Sequence, residues 1–241
     1  MDGRPVGTRG AGAIHSFGKG KHVNTMFGGL VVTDDASVAA ATRSARDALP
    51  PPARLRLLGA VAIELGLAAA THPRLYPLLL HPLIRAFDFM GIDLPTLLFE
   101  DDGRRTPQGV AQRPPRAWGT LALGQLAALP AERERRRKVA AVLRDALVAR
   151  GLRHQAANGP GDHPLFLTLL HPCRDRVRRA LLAEGQDTQP TWMRSIVGDD
   201  GARDRVADAA VGEGLYLPLH FGTEPETLIG ALDSAMRHMS A

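Results

Sequence analysis

The stretch Ile14-His15-Ser16-Phe17-Gly18-Lys19-Gly20-Lys21-His22-Val23-Asn24-Thr25-Met26-Phe27-Gly28-Gly29-Leu30-Val31-Val32-Thr33-Asp34-Asp35 decides how this chain reads. Two short apolar runs, 13–17 and 30–33, flank a crossing rich in glycine and lysine, and an acidic pair follows. Short β-prone runs punctuated by glycine predict a strand, a tight loop and a second strand. Asp34-Asp35 then sits where a helix start favours negative charge. Gly28-Gly29 predict a close backbone approach or a dihedral that a side chain would resist.

The chemistry of the loop is narrow. A lysine at a strand end, on backbone loosened by glycine, is a carbonyl-trapping amine. Ser16 lies on the first strand and Lys21 five residues later. A hydroxyl for a phosphate and an amine for a carbonyl suit one small molecule, and pyridoxal phosphate (PLP) carries both groups. The same residues also read as a solvated basic turn, with the Ser16 hydroxyl bonded to nearby backbone.

Outward from the loop, composition sets bounds. With 241 residues, 44% hydrophobic and 23% charged, the chain suffices for one large domain or one and a half small ones. Cys173 is the single cysteine, which excludes an internal disulfide and fits a reducing compartment. Residues 1–8 have no apolar run of the signal-peptide kind, so the cytoplasm is the expected location. The net charge is +5, but no stretch interleaves aromatic with basic residues, so nucleic acid is not the expected partner. An acidic small molecule accounts for that charge, as does an anionic membrane surface. His15, His22, His163 and His171 lack the close helical spacing of a zinc site, and no metal is expected.

Residues 36–49 predict a helix stopped by Pro50-Pro51-Pro52. Residues 55–70 and 75–90 are apolar, yet too short and too interrupted by charge and proline to span a bilayer. They are expected as core helices or a helical lid in preference to a membrane-interface hairpin. A polar stretch, 100–115, reads as a linker, and helices are expected at 117–129 and 131–152. The run Glu132-Arg133-Glu134-Arg135-Arg136-Arg137-Lys138 predicts a solvated face. A strand at 165–170, a helix at 174–184 closed by Gly185, a strand at 215–219 and a helix at 223–236 predict a small α/β layer.

The residues also carry a resemblance. Ser16-Phe17, three residues, Lys21, six residues, Gly28-Gly29 and an apolar run ending Thr33-Asp34 are similar to the cofactor-lysine segment of the DegT/DnrJ/StrS family of sugar aminotransferases. Gly3-Arg4-Pro5-Val6-Gly7-Thr8 looks like that motif's approach. Residues 117–126 with the arginine-rich helix from Glu132, then 163–185, then 215–219 with 223–236, resemble the family's later elements in order. The resemblance implies an α/β, incomplete PLP-transferase (aspartate aminotransferase-like) fold. Residues 1–52 would end the large PLP-binding domain, 53–99 form a helical insertion, 100–116 a linker and 117–241 the small α/β C-terminal domain.

It further implies a PLP-dependent transaminase acting on a nucleotide-linked keto-sugar, with an amino acid, usually glutamate, as donor. Lys21 would form the Schiff base and then move protons, and Ser16 would donate to the cofactor phosphate. The family's first half has no counterpart here. The chain is therefore expected to be a C-terminal portion, working as a homodimer or with a complementary N-terminal half. The other expectation is a non-catalytic module that binds a partner subunit or membrane surface. Departures from the pattern are His22 for asparagine, Met26-Phe27 for Gly-Glu, and Ala111 for the asparagine between Gly109 and Arg113 in a phosphate-contact motif. Arg113 or Arg116 could offset the last loss. Thr191-Trp192 stand where many members have His-Tyr, so Trp192 reads either as lining a substrate pocket or as an ordinary buried aromatic.

Overall fold

The quoted stretch folds as the hairpin its pattern predicts. In a computed structural model, β1 (Ala13–Ser16) pairs antiparallel with β2 (Gly29–Val32), with Ala13 opposite Val32 and Ser16 opposite Gly29. The structure describes residues 7–92 except 19, 27 and 73, residues 112–191 except 158 and 160, and residues 210–240 except 221. The chain divides into two units: Met1–Ala69 with Asp101–Pro130, and Ala70–Glu100 with Ala131–Ala241.

In the first unit, Asp35 caps α1 (Ala36–Ala48), its carboxylate accepting the Ser37 and Val38 N–H groups at 2.7 and 3.2 Å. Those bonds and the Ser37 hydroxyl, which contributes most, hold its pKa below the ordinary value. After the prolines comes α2 (Arg54–Ala70), which leaves Leu55 85%, Leu58 65%, Ile63 65% and Leu65 67% exposed. The Arg113 N–H donates to the Pro50 carbonyl at 2.9 Å.

The second unit is a two-layer α/β arrangement. Its sheet has the order β3 (Arg153–His154), β4 (Phe166–Leu170), β6 (Gly214–Pro218), β5 (Gln189–Pro190), and every pairing is antiparallel. Alternation along the strands sends Leu167, Leu169, Leu215 and Leu217 to one face, where all are buried. Three helices supply the other side of that core. α4 (Arg116–Ala149) contributes Val139, Ala140, Leu143 and Leu147; α5 (Arg174–Ala183) contributes Val177 and Leu181; α6 (Pro225–Ser240) contributes Leu228, Ala231, Leu232 and Ala235. These recur at helical spacing, so each helix buries one stripe. On the opposite sheet face Phe166 stacks on Tyr216 with ring centroids 4.8 Å apart.

Two expectations change. First, α4 is one helix running through Pro130, where two helices were expected. Proline deletes one main-chain donor, but the alanine- and arginine-rich sequence beyond it keeps helical dihedrals. The division between units falls at that proline.

Second, the run from Glu132 is not wholly a solvated face. The Glu132 carboxylate accepts from Arg135 Nε at 2.9 Å and Arg136 Nε at 2.8 Å. Those guanidinium groups reach on to the Leu219 and Leu165 carbonyls at 2.7 and 3.2 Å. Only the long arginine fork spans from helix surface to strand end.

α2 falls in the first unit, while α3 (Leu80–Phe89) packs on α5, with Ile84 against Leu182. His81 Nε2 lies 2.7 Å from the Leu182 carbonyl, and Arg178 meets Asp88 at 2.5 Å. Among the described residues, no helix is long and apolar enough to cross a membrane.

Candidate active site

The loop between β1 and β2 is built by a few main-chain bonds. The Phe17 N–H donates to the Gly28 carbonyl at 3.0 Å, which extends the ladder by one position. The Thr25 N–H donates back to the Phe17 carbonyl at 2.9 Å. Between them the Lys21 N–H closes a turn onto the Gly18 carbonyl at 3.3 Å. Gly20 occupies the left-handed region there, at φ 73°.

The paired glycines have separate reasons. Gly28 sits at φ 94°, and a Cβ on Gly29 would collide with the His15 carbonyl oxygen across the ladder. Met26 also takes a left-handed backbone, at φ 70°. That is the position where the resembled family carries glycine, so the departure places a side chain on a conformation that resists one.

Lys21 is exposed, and so is Ser16. The Ser16 hydroxyl oxygen accepts the Gly18 N–H at 3.3 Å, and Gly18 in turn receives the Lys21 N–H. Two hydrogen bonds thus link the lysine backbone to the serine. The serine O–H proton remains to donate, which suits the acceptor-only oxygens of a phosphate. A lysine and a serine hydroxyl carried on one short turn suit a ligand with one carbonyl and one phosphate, as PLP has.

Below the exposed turn the loop is anchored. Val23 and Thr25 are 5% and 2% exposed. Asn24 lies between them, its N–H donating to Gln125 Oε1 at 2.8 Å and its carbonyl accepting from Gln125 Nε2 at 2.7 Å. Sequence reading did not find Gln125. A glutamine inside a helix carries no local signal, and its partner lies 101 positions away.

The other sequence candidates are not gathered here. Lys19, Gly109, Ala111 and Trp192 lie outside the described residues. Arg113 and Arg116 are both exposed. Among the described residues, no three His, Cys, Asp or Glu side chains stand close enough to hold a metal. Burial lowers the pKa of His163, with Arg133 and Arg137 adding to the effect, and burial lowers that of His171. His171 Nδ1 accepts the Cys173 N–H at 3.0 Å.

The sequence matches no family model and no curated protein. Solved structures do match. TlmJ, an aminotransferase from Streptoalloteichus hindustanus, is 21% identical, with all of this chain covering 56% of it at a TM-score of 0.63. A DegT DnrJ EryC1 StrS aminotransferase from Brucella abortus is 17% identical, with 93% of this chain covering 50% of it at 0.58. The fold is that of the DegT/DnrJ/EryC1/StrS sugar aminotransferases. The E. coli GDP-4-keto-6-deoxy-D-mannose-3-dehydratase, solved with bound hydrated PLP, is 18% identical, with 96% of this chain covering 57% of it at 0.61. This chain therefore spans about half the length of these structures. At these identities the likeness establishes the fold and leaves the reaction to the residues.

Proposed function

We propose that this chain carries the lysine-bearing part of a PLP-dependent aminotransferase for nucleotide-linked keto-sugars, acting in the cytoplasm, with Lys21 as the residue that holds the cofactor covalently. One observation carries the reading: an exposed lysine at the turn of a glycine-shaped hairpin, with a serine hydroxyl two hydrogen bonds away, in a chain with this fold.

When bound, PLP would supply the carbonyl that condenses with an amine and the electron sink for the pair released at a substrate carbon. Lys21 Nζ would hold that carbonyl by condensing with it and releasing water; once the donor's amino group displaces it, the freed amine would take the proton from the substrate α-carbon and deliver it to the cofactor carbon. Ser16 would donate to the phosphate, and Arg113 and Arg116 are candidate anion contacts. The amino donor is an amino acid, glutamate by the resemblance, and the acceptor a keto-sugar. Since the chain spans about half of the matched structures, the working site would be completed in a homodimer or by a polypeptide supplying the remaining elements.

A second reading is a non-catalytic module that docks onto a partner. It is favoured by the apolar side chains that the first unit leaves in solvent, Ile14, Leu55, Leu58 and Ile63 among them.

The chain's lysines are Lys19, Lys21 and Lys138, so the test is clean. Purified chain with added PLP should develop a visible absorbance band, and borohydride should fix the cofactor's mass on Lys21. Lys21→Ala should lose both. Absence of a band, or equal labelling of all three lysines, would refute the catalytic reading of this chain alone.

A further inference from the structure

Resting on that reading of Lys21, we infer that Gln125 is a positioning residue, a carboxamide clamp that fixes the Lys21 loop to α4. Asn24 lies three residues after Lys21, and both of its main-chain groups are taken by one planar side chain, at 2.8 and 2.7 Å. The pairing mimics a rung of antiparallel sheet, with the amide of Gln125 standing in for a peptide. The Asn24 side chain adds a second constraint by accepting the Met26 N–H at 2.8 Å. Flanking Val23 and Thr25 are buried, so this is where the loop is held.

The turn above has little stiffness of its own. Among the described residues its main chain is closed by the Lys21 to Gly18 bond of 3.3 Å, and it contains Gly18 and Gly20. The position of the Lys21 amine therefore derives from Asn24, and through it from Gln125. An attacking amine needs a defined approach to its carbonyl, and small misplacements cost rate steeply. Other side chains do not replace this one. Glutamate keeps the acceptor for the Asn24 N–H and lacks a donor for its carbonyl; asparagine is one methylene shorter; alanine has neither group.

The test uses the full chain and two variants, Gln125→Ala and Gln125→Glu. Hydrogen exchange is followed at residues 22–26, with β4 and β6 as controls, alongside the selectivity of PLP and borohydride for Lys21 over Lys19 and Lys138. In Gln125→Ala, exchange of the loop amides should rise about tenfold, the effect of losing two modest hydrogen bonds. The strand amides should hold. Preference for Lys21 should fall by a similar factor, and Gln125→Glu should lie between.

Unchanged loop exchange in both variants would overturn the clamp. A loosened loop with undiminished preference for Lys21 would overturn the positioning role. If the unaltered chain shows no preference for Lys21, the cofactor-lysine reading itself fails, and the clamp's purpose with it, while loop exchange still reports whether Gln125 holds Asn24.

Discussion

Glu132→Gln is expected to destabilise the second unit at neutral pH and to become nearly silent in acid. The Glu132 carboxylate is bonded by two guanidinium groups, at 2.9 Å from Arg135 Nε and 2.8 Å from Arg136 Nε. Arg135 is the larger cause, and together they hold the carboxyl's pKa down from 4.5 to about 2 against the opposing pull of burial. Converted in full, that depression would be worth about 3 kcal/mol. A quarter of the Glu132 side chain stays in water, and Arg135 is 30% exposed, so screening lowers the expectation to about 1–2 kcal/mol. Glutamine keeps the shape and one acceptor but not the charge.

The sign follows from the direction of the shift. A depressed carboxyl contributes stability that is fully present above its unfolded value, near 4.5, and is lost as pH falls toward about 2. More than half of the difference between wild type and Glu132→Gln should therefore be gone by about pH 3. Urea unfolding followed by circular dichroism at pH 7 and pH 3, with exchange of the Leu167 and Leu217 amides as a local report, measures it. A difference that is the same at both pH values would refute the electrostatic account. So would no loss at pH 7, since the arginines would then hold the Leu165 and Leu219 carbonyls without their carboxylate.

Two further outcomes are expected. Met26→Gly should stabilise the loop by up to about 1 kcal/mol, relief of the left-handed backbone at φ 70° exceeding the entropy glycine adds to the unfolded chain; faster loop exchange in that variant would contradict it. Asp88→Ala should cost about 2–3 kcal/mol, because Arg178, only 13% exposed, loses its partner at 2.5 Å. A cycle with Arg178→Ala should return a coupling near 1 kcal/mol or more, and additive losses would show that the pair does not hold α3 to α5.

The hairpin was legible because its signals are local: β-prone residues in two short runs, and glycines where the backbone must turn positive or approach closely. The sheet strands β4 and β6 were legible for the same reason, as apolar runs bounded by turn residues. β3 and β5 were not, since two residues carry no period, and they exist because longer neighbours offer them a ladder. The reach of Arg135 and Arg136 to strand-end carbonyls was hidden because a charge run looks alike whether it meets water or main chain. Docking of α3 was half visible: His81, Ile84 and Asp88 share a face at spacings of three and four, but their partners lie in α5. Gln125 was invisible, because its role is defined only by a partner far away in sequence.

The two units also differ in what fixes their parts, and that bears on how the site works. The second unit has a shared core in which four strand leucines meet three helical stripes, so its elements are held by burial worth about 1.5–3 kcal/mol per large side chain. In the first unit, the buried hydrophobic residues among those described are Val23 and Ala122, while Ile14, Val31 and Val32 of the hairpin stay exposed. Beyond the burial of Val23 and Thr25, a loop in such surroundings borrows little order from a core. Its order has to come from directional bonds, and the pair at Asn24 supplies them. Stability and lysine placement should therefore separate: Glu132→Gln should shift the unfolding of the second unit and leave the selectivity for Lys21 alone, whereas Gln125→Ala should do the reverse. If both variants moved both readouts together, the Lys21 loop would be governed by global unfolding, and a locally built site would be the wrong description.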